Sequence, residues 1–174
     1  MPDINLQPLG PQHDRAAFDC GEISVTRYLR EVALQAQQGY RSASKVAVFP
    51  TVPGKILGYY TLVNHRIVDD QMPDAIAKQL NVRNLRDGAP AILLAQLGVD
   101  RSYQSNGLGP FLLKSALLDA IGVAAQVGGV AVLVDALDAR RATWYSRNAD
   151  FRPLREGGTR LLLPMKTLAK ALSA

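Results

Sequence analysis

The sequence predicts a mixed α/β fold, a central sheet with both parallel and antiparallel strands and with helices packed on it. Short apolar, β-branched runs alternate with stretches of helical periodicity along the chain. One pair of runs is joined by a proline- and glycine-bearing turn, which makes an antiparallel hairpin, whereas the later runs are apolar throughout and separated by helices, as strands covered on both faces are. With 174 residues, 48% of them apolar, the chain can bury one sizeable core, and its length asks for a single domain over residues 1–174.

Residues 4–9 read as a short opening strand. Phe18-Asp19-Cys20-Gly21 is a turn, after which Ile23, Tyr28, Leu29, Val32, Ala33 and Ala36 recur at helical spacing until Gly39 ends the helix. Asp19 and Glu22 stand where acids favour the positive end of that helix. Residues 43–49 and 56–63 form the hairpin around Pro50-Thr51-Val52-Pro53-Gly54-Lys55. Residues 73–80 predict a short helix, and 81–90 a polar connection carrying Arg83 and Arg86. Residues 91–99 are almost wholly apolar and predict a central strand, and 110–127 a long helix rich in Leu and Ala that Gly128-Gly129 ends. Residues 130–137 predict another buried strand, 139–147 a short helix, 160–163 a last strand and 165–172 a closing helix.

Cys20 is the only cysteine, so no internal disulfide can form, and without a partnered histidine it reads as a structural thiol rather than a nucleophile. His13 and His65 have no ligand partner at metal-binding spacing, so no metal is expected. The N-terminus lacks the basic start and apolar run of a signal peptide. No apolar stretch approaches the ~20 residues of a bilayer span, so a cytoplasmic protein with no membrane partner is expected. The formal charge is +5, carried mostly by arginine, whose forked donors suit phosphate and carboxylate; solubility alone explains that charge as readily as an acidic partner does.

The chemistry-bearing segment lies between the central strand and the long helix. A strand, a loop over residues 100–109 and then a helix turn successive backbone N–H groups toward an anion, and a pyrophosphate fits there. Gly107 and Gly109 remove side chains that would block close approach, and Pro110 sits in a first turn where its missing N–H costs nothing. The spacing is too short for a P-loop and lacks its Gly-Lys-Ser/Thr ending, and the ribose-binding acid of a dinucleotide fold is missing.

Leu97-Gly98-Val99-Asp100-Arg101-Ser102-Tyr103-Gln104-Ser105-Asn106-Gly107-Leu108-Gly109 resembles the signature of the GNAT acetyltransferases: a strand ending in a hydrophobic-x-Val pair, then Q/R-x-x-G-x-G/A, then a helix. The resemblance implies a GNAT fold, a mixed sheet flanked by helices on both faces, with acetyl-CoA as acetyl donor. It assigns Leu97, Gly98 and Val99 to the pantetheine arm, and Gln104, Ser105, Asn106, Gly107, Leu108, Gly109 and Pro110 to the phosphates. Phe18-Asp19-Cys20-Gly21, the helix with Tyr28-Leu29, and Asp135-Ala136-Leu137-Asp138 ahead of Trp144-Tyr145 resemble the TacT-like toxins. That resemblance runs over most of the chain, through Leu161-Leu162-Leu163-Pro164-Met165, and implies acetylation of aminoacyl-tRNA, restraint by a small ribbon-helix-helix antitoxin, and a homodimer. The chain departs from the family pattern with an apparent extra residue in Ala149-Asp150-Phe151 and with Arg141 where a small residue is common.

By the same resemblance Tyr145 donates to the sulfur of CoA. An α-amino group titrates near ~8, against ~10.4 for a lysine amine, so its neutral fraction at pH 7 is substantial without a strong protein base. Six arginines (140, 141, 147, 152, 155 and 160) face Asp138, Asp150 and Glu156 over residues 138–160; of these Arg140, Arg141, Arg147 and Arg152 are the candidate contacts to RNA phosphate, and a solvated, self-paired face is the alternative. Two rival functions stay open: acetylation of a small amine or a protein N-terminus, and a non-catalytic CoA- or RNA-binding module.

Overall fold

The computed structural model describes residues 3–68, 72–83 and 87–174, so the expectation for Arg86 falls outside the described residues. Its strands are β1 (Asn5–Pro8), β2 (Ala43–Val48), β3 (Gly58–Ile67), β4 (Ala89–Val99), β5 (Ala131–Asp135), β6 (Arg152–Pro153) and β7 (Arg160–Pro164). They are hydrogen-bonded in the order β1-β2-β3-β4-β5-β7-β6. The sheet is mixed, as the sequence predicts: β1 with β2, β2 with β3, β5 with β7 and β6 with β7 are antiparallel, and β4 with β5 is parallel. The helices are α1 (Ile23–Arg27), α2 (Ala33–Gln38), α3 (Asp74–Leu80), α4 (Leu108–Val127), α5 (Ala139–Asn148) and α6 (Met165–Leu172). The chain divides into two compact units, Met1–Val63 with Ala95–Ala116, and Asn64–Leu94 with Leu117–Ala174.

In the first unit, α1 and α2 are joined by a π-helical turn, Tyr28–Val32. The buried stripe is Val25, Leu29, Ala33 and Ala36. Ile23 and Val32, which the periodicity placed with them, are 72% and 40% exposed, because the wider turn rotates its residues off a regular helical register. The stripe packs on Leu9, Phe18, Val46, Val48, Ile56 and Tyr59. Each fully buried Leu or Val there contributes about 1.5–3 kcal/mol of transfer free energy. The Tyr59 hydroxyl donates to the carbonyl of Val25 at 2.6 Å, satisfying a phenol that burial would otherwise penalise.

The second unit has its core at Ile67, Met72, Val82, Leu133, Leu154 and Leu162. Four consecutive β5 residues, Ala131, Val132, Leu133 and Val134, are buried, so both faces of this strand are covered. Val82 is buried and β4 begins at Ala89, so the polar connection expected over 81–90 is shorter than its composition suggests. The sequence reading has no counterpart for β6, which pairs with β7 through Arg152↔Leu162; Gly157, at φ 70, makes the turn that joins them.

One expectation is corrected outright. Helix α4 has 20 residues at a mean hydropathy of 1.5, long and apolar enough by length and composition to cross a membrane. Its apolar side chains have another use: Leu108, Leu112, Leu113, Ala116, Leu117 and Ala120 are all buried in the protein.

Candidate active site

In the first unit, the candidate cofactor segment is the end of β4 and the loop that follows. The β4–β5 ladder covers Ile92–Leu94 opposite Val132–Val134, and β4 then continues through residues 95–99 without a β5 partner. Leu97 and Val99 are half-buried there, while Gly98 is buried. A Cβ on Gly98 would stand 2.8 Å from Cγ1 of Val25, with Tyr59 and Cys20 next nearest, so its missing side chain lets α1 close on the strand. Gly58 plays the same part for α4, since a Cβ there would meet Cδ1 of Leu112 at 2.7 Å and the carbonyl of Gly98 at 3.0 Å.

Asp100 opens the loop. Its carboxylate accepts from the N–H of Ser102 at 3.0 Å and of Asp19 at 3.1 Å, and the Arg101 N–H donates to the carbonyl of Asp19 at 2.9 Å. Asp19 accepts from the N–H of Gly21 at 2.8 Å and pairs with Arg101 at 3.5 Å. Asp19 therefore stiffens its own turn rather than capping the helix, and Glu22, at the N-cap, makes no side-chain cap bond. The side-chain nitrogen of Gln104 donates to the carbonyls of Cys20 at 2.8 Å and Val99 at 2.9 Å. Gln104 thus holds the loop with its side chain and leaves only backbone for a ligand.

Beyond this fastening the chain is open. Gln104, Ser105, Asn106, Gly107 and Pro110 are exposed and Gly109 is half-buried, whereas Leu108 is buried as the anchor of α4. Ser105 and Gly107 have φ of 65 and 82, and a Cβ on Gly107 would meet nothing within 4 Å. The Phe111 N–H donates to the carbonyl of Gly107 at 3.2 Å, starting the helix. Among the described residues no protein group accepts from the N–H of Ser105, Asn106 or Gly107. Exposed, unpartnered amides at the start of a 20-residue helix are donors of the kind that phosphate oxygens accept from.

In the second unit, α5 carries the candidate tyrosine. Asp138 caps this helix, accepting from the Arg141 N–H at 2.8 Å and pairing with the Arg141 guanidinium; the backbone bond first, and then the guanidinium, hold the Asp138 carboxyl below its usual range. This gives the unusual arginine a local function. Tyr145, one turn on, is half-buried between edge-on Trp144 at 5.0 Å and Phe151 at 5.9 Å. The N–H of Phe151 donates to the carbonyl of Ala149 at 2.8 Å, and Phe151 braces the tyrosine from this turn. Burial pushes the Tyr145 phenol up to about 12, and among the described residues its hydroxyl has no hydrogen-bond partner.

Arg140, Arg147 and Arg152 are exposed, and the spacing of 140, 144 and 147 puts Arg140, Trp144 and Arg147 on one face of α5. Arg160 is held by Asp135 through two bonds of 2.6 and 2.8 Å. His13 is structural: Nδ1 accepts from the Gly10 N–H at 3.0 Å and Nε2 lies 3.3 Å from Gln7. The Nε2 of His65 is buried without a partner among the described residues, and burial, then Arg160, lowers the pKa of that ring. The Cys20 thiol lies 3.3 Å from the Thr26 hydroxyl, inside the turn. No group of three or more His, Cys, Asp or Glu able to hold a metal occurs among the described residues.

Sequence reasoning missed Asp100 and Gly58. An aspartate directly after an apolar strand and two residues before a serine was the available signal for the first, as a side-chain cap. Nothing local marked the second, whose glycine answers to a helix fifty residues away.

No family model matches the sequence. The chain is 30% identical over 172 residues to a probable toxin TacT of Sinorhizobium fredii, covering 94% of this chain and 92% of the relative. It is 34% identical over 162 residues to a tRNA-acetylating toxin of Mycobacterium tuberculosis, covering 91% and 90%. Among solved structures, AtaTR bound with AcCoA superposes with a TM-score of 0.83 at 25% identity, covering 98% of each chain. AtaT complexed with acetyl-methionyl-tRNAfMet gives 0.84 at 24%, covering 98% of this chain and 99% of that one. A mutant AtaT bound to the C-terminus of the antitoxin AtaR gives 0.81 at 23%, covering 99% of each.

Proposed function

This chain belongs to the TacT-like family of tRNA-acetylating toxins, GNAT-fold proteins, and from that premise we propose how its residues carry out the transfer. The protein is an acetyl-CoA-dependent N-acetyltransferase that acetylates the α-amino group of aminoacyl-tRNA and so blocks translation. The observation that carries this reading is the open amide cradle at Ser105, Asn106 and Gly107, a bend with room for a pyrophosphate and no protein group in competition for it.

Loop amides hold the diphosphate, and the unpaired edge of β4 at Leu97 and Val99 offers backbone groups to the pantetheine arm. The thioester supplies an already activated acyl group. Tyr145 donates a hydrogen bond to the departing sulfur. With the phenol near 12 and a thiol near ~8.5, outright proton transfer to the thiolate is uphill by about 5 kcal/mol, so a donated hydrogen bond is the economical role. The acceptor amine, near ~8, is partly neutral at working pH. Arg140, Arg147 and Arg152 contact RNA phosphate, with Arg141 shared between Asp138 and the RNA.

The partners follow the family: a small antitoxin of the ribbon-helix-helix type and a second copy of the chain in a homodimer. The cytoplasm, where charged tRNA is found, is the expected compartment. Transfer of labelled acetyl groups to charged tRNA, run beside polyamines, aminoglycosides and peptides, tests the assignment. Label on tRNA alone supports it, and label on a small amine alone would replace it with the rival acceptor.

A further inference from the structure

Two arginines that flank the Phe18–Gly21 turn, Arg15 before it and Arg30 in the helix after it, are not used by the chemistry above. A cavity of about 370 Å³ in the first unit is lined by His13, Asp14, Arg15, Ala16 and Arg30. Nη1 of Arg15 donates to the backbone carbonyl of Arg30 at 3.0 Å, and Nε of Arg30 donates to the carbonyl of Phe18 at 3.0 Å. These bonds hold two guanidinium groups on one cavity wall, and among the described residues neither pairs with a carboxylate. Asp14, the acid on the lining, has Oδ1 turned to the Ala17 N–H at 3.2 Å, and burial keeps His13 neutral.

The Nε of Arg15 is buried and has no hydrogen-bond partner among the described residues. A guanidinium in that state bears an uncompensated N–H as well as a like-charged neighbour, and both costs are removed by an anion reached through a small rotation of the fork. Carbonyl tethers that fix the arginines without neutralising them leave their charge for a ligand. Arg27, one turn before Arg30, is exposed as well, and one exposed acid, Glu31, stands beside Arg30.

We propose that Arg15 and Arg30 form a phosphate subsite that takes a backbone phosphodiester of the tRNA substrate. This deepens the function assigned above and rests on it for the source of the phosphate. The chemistry is shared with the 3′-phosphate of CoA, so the test must separate the two sources. An extended polyanion fits better, because the loop amides already answer the cofactor's diphosphate and Arg30 and Arg27 are both exposed one turn apart.

The experiment compares the full-length protein with Arg15→Gln and Arg30→Gln, and uses the exposed Arg41→Gln as control. Uncharged tRNA binding is measured by fluorescence anisotropy across a salt series, a readout that needs no turnover and so stands apart from whether acetyl transfer occurs. Each variant is expected to weaken tRNA binding about tenfold and to lower the slope of log K against log salt by about one. Arg30→Lys recovers part of the affinity, and the control behaves as wild type. Acetyl-CoA affinity and the thermal midpoint stay unchanged. If losing the Arg30 bond to Phe18 unfolds that variant, Arg15→Gln decides alone. Wild-type tRNA affinity and salt slope in Arg15→Gln would overturn the proposal. So would a loss of acetyl-CoA affinity that vanishes with 3′-dephospho-acetyl-CoA, which places the cofactor's phosphate in the cavity instead.

Discussion

Tyr145 is where environment most changes what a residue can do. An ordinary phenol lies about two kcal/mol from giving its proton to a thiolate, and burial widens that gap to about five. Removing the hydroxyl in Tyr145→Phe should lower kcat by about a hundredfold, on the order of 3 kcal/mol of lost transition-state stabilisation, with acetyl-CoA affinity held within twofold. Because the phenol stays protonated well past its ordinary range, kcat/KM should rise through the amine titration near ~8 and show no fall before about pH 10. A fall between pH 8 and roughly 9.5 would mean an ionised tyrosine and contradict the assignment. A second residue-scale prediction concerns Asp135, whose pKa the Arg160 hydrogen bond lowers. A carboxyl lowered in the folded state stabilises above its unfolded pKa and loses that contribution as pH falls through the folded value. Arg160→Gln should therefore cost up to about 1 kcal/mol at pH 7, and the difference from wild type should shrink below about pH 4, as urea melts would show.

The loop over residues 100–109 shows what an element can reveal in sequence and what it cannot. Its glycines were legible as a phosphate bend because Gly107 and Gly109 have local reasons to be there, and the structure leaves the space at Gly107 open. Its fastening was not legible, since Asp100, Gln104 and Arg101 bond to residues 19–20, some eighty positions earlier. Asp100→Ala removes both carboxylate bonds and strands two N–H groups, so it should destabilise by about 2–4 kcal/mol and weaken acetyl-CoA binding with it. Gly107→Asp should abolish acetyl-CoA binding by setting a carboxylate where the diphosphate belongs, with only about 1 kcal/mol of backbone strain at its φ of 82. Gly107→Asn, neutral and of similar size, should retain more affinity in calorimetry; equal loss in both would point to bulk rather than charge. The apolar run of α4 was misjudged for a similar reason, as a helix whose residues serve the core matches a bilayer span in composition.

For the molecule as a whole, the mixed sheet and the order of most helices could be read from periodicity, because each strand and helix has a local apolar pattern. The two-residue strand β6 has no such pattern, and its place comes from pairing with β7. The tyrosine's brace was equally hidden, because only the folded turn at residues 149–151 shows how Phe151 reaches the ring. Function became legible where the loop motif, the tyrosine on α5 and the family relationship coincide. Mass spectrometry of the terminal aminoacyl-adenosine, released from a charged tRNA pool after incubation with protein and acetyl-CoA, tests that convergence most directly. The account predicts one acetyl group on the α-nitrogen of the aminoacyl residue, lost in Gly107→Asp and strongly reduced in Tyr145→Phe. Aminoacyl-adenosine of unchanged mass, with acetyl-CoA bound and the charged tRNA intact, would contradict it.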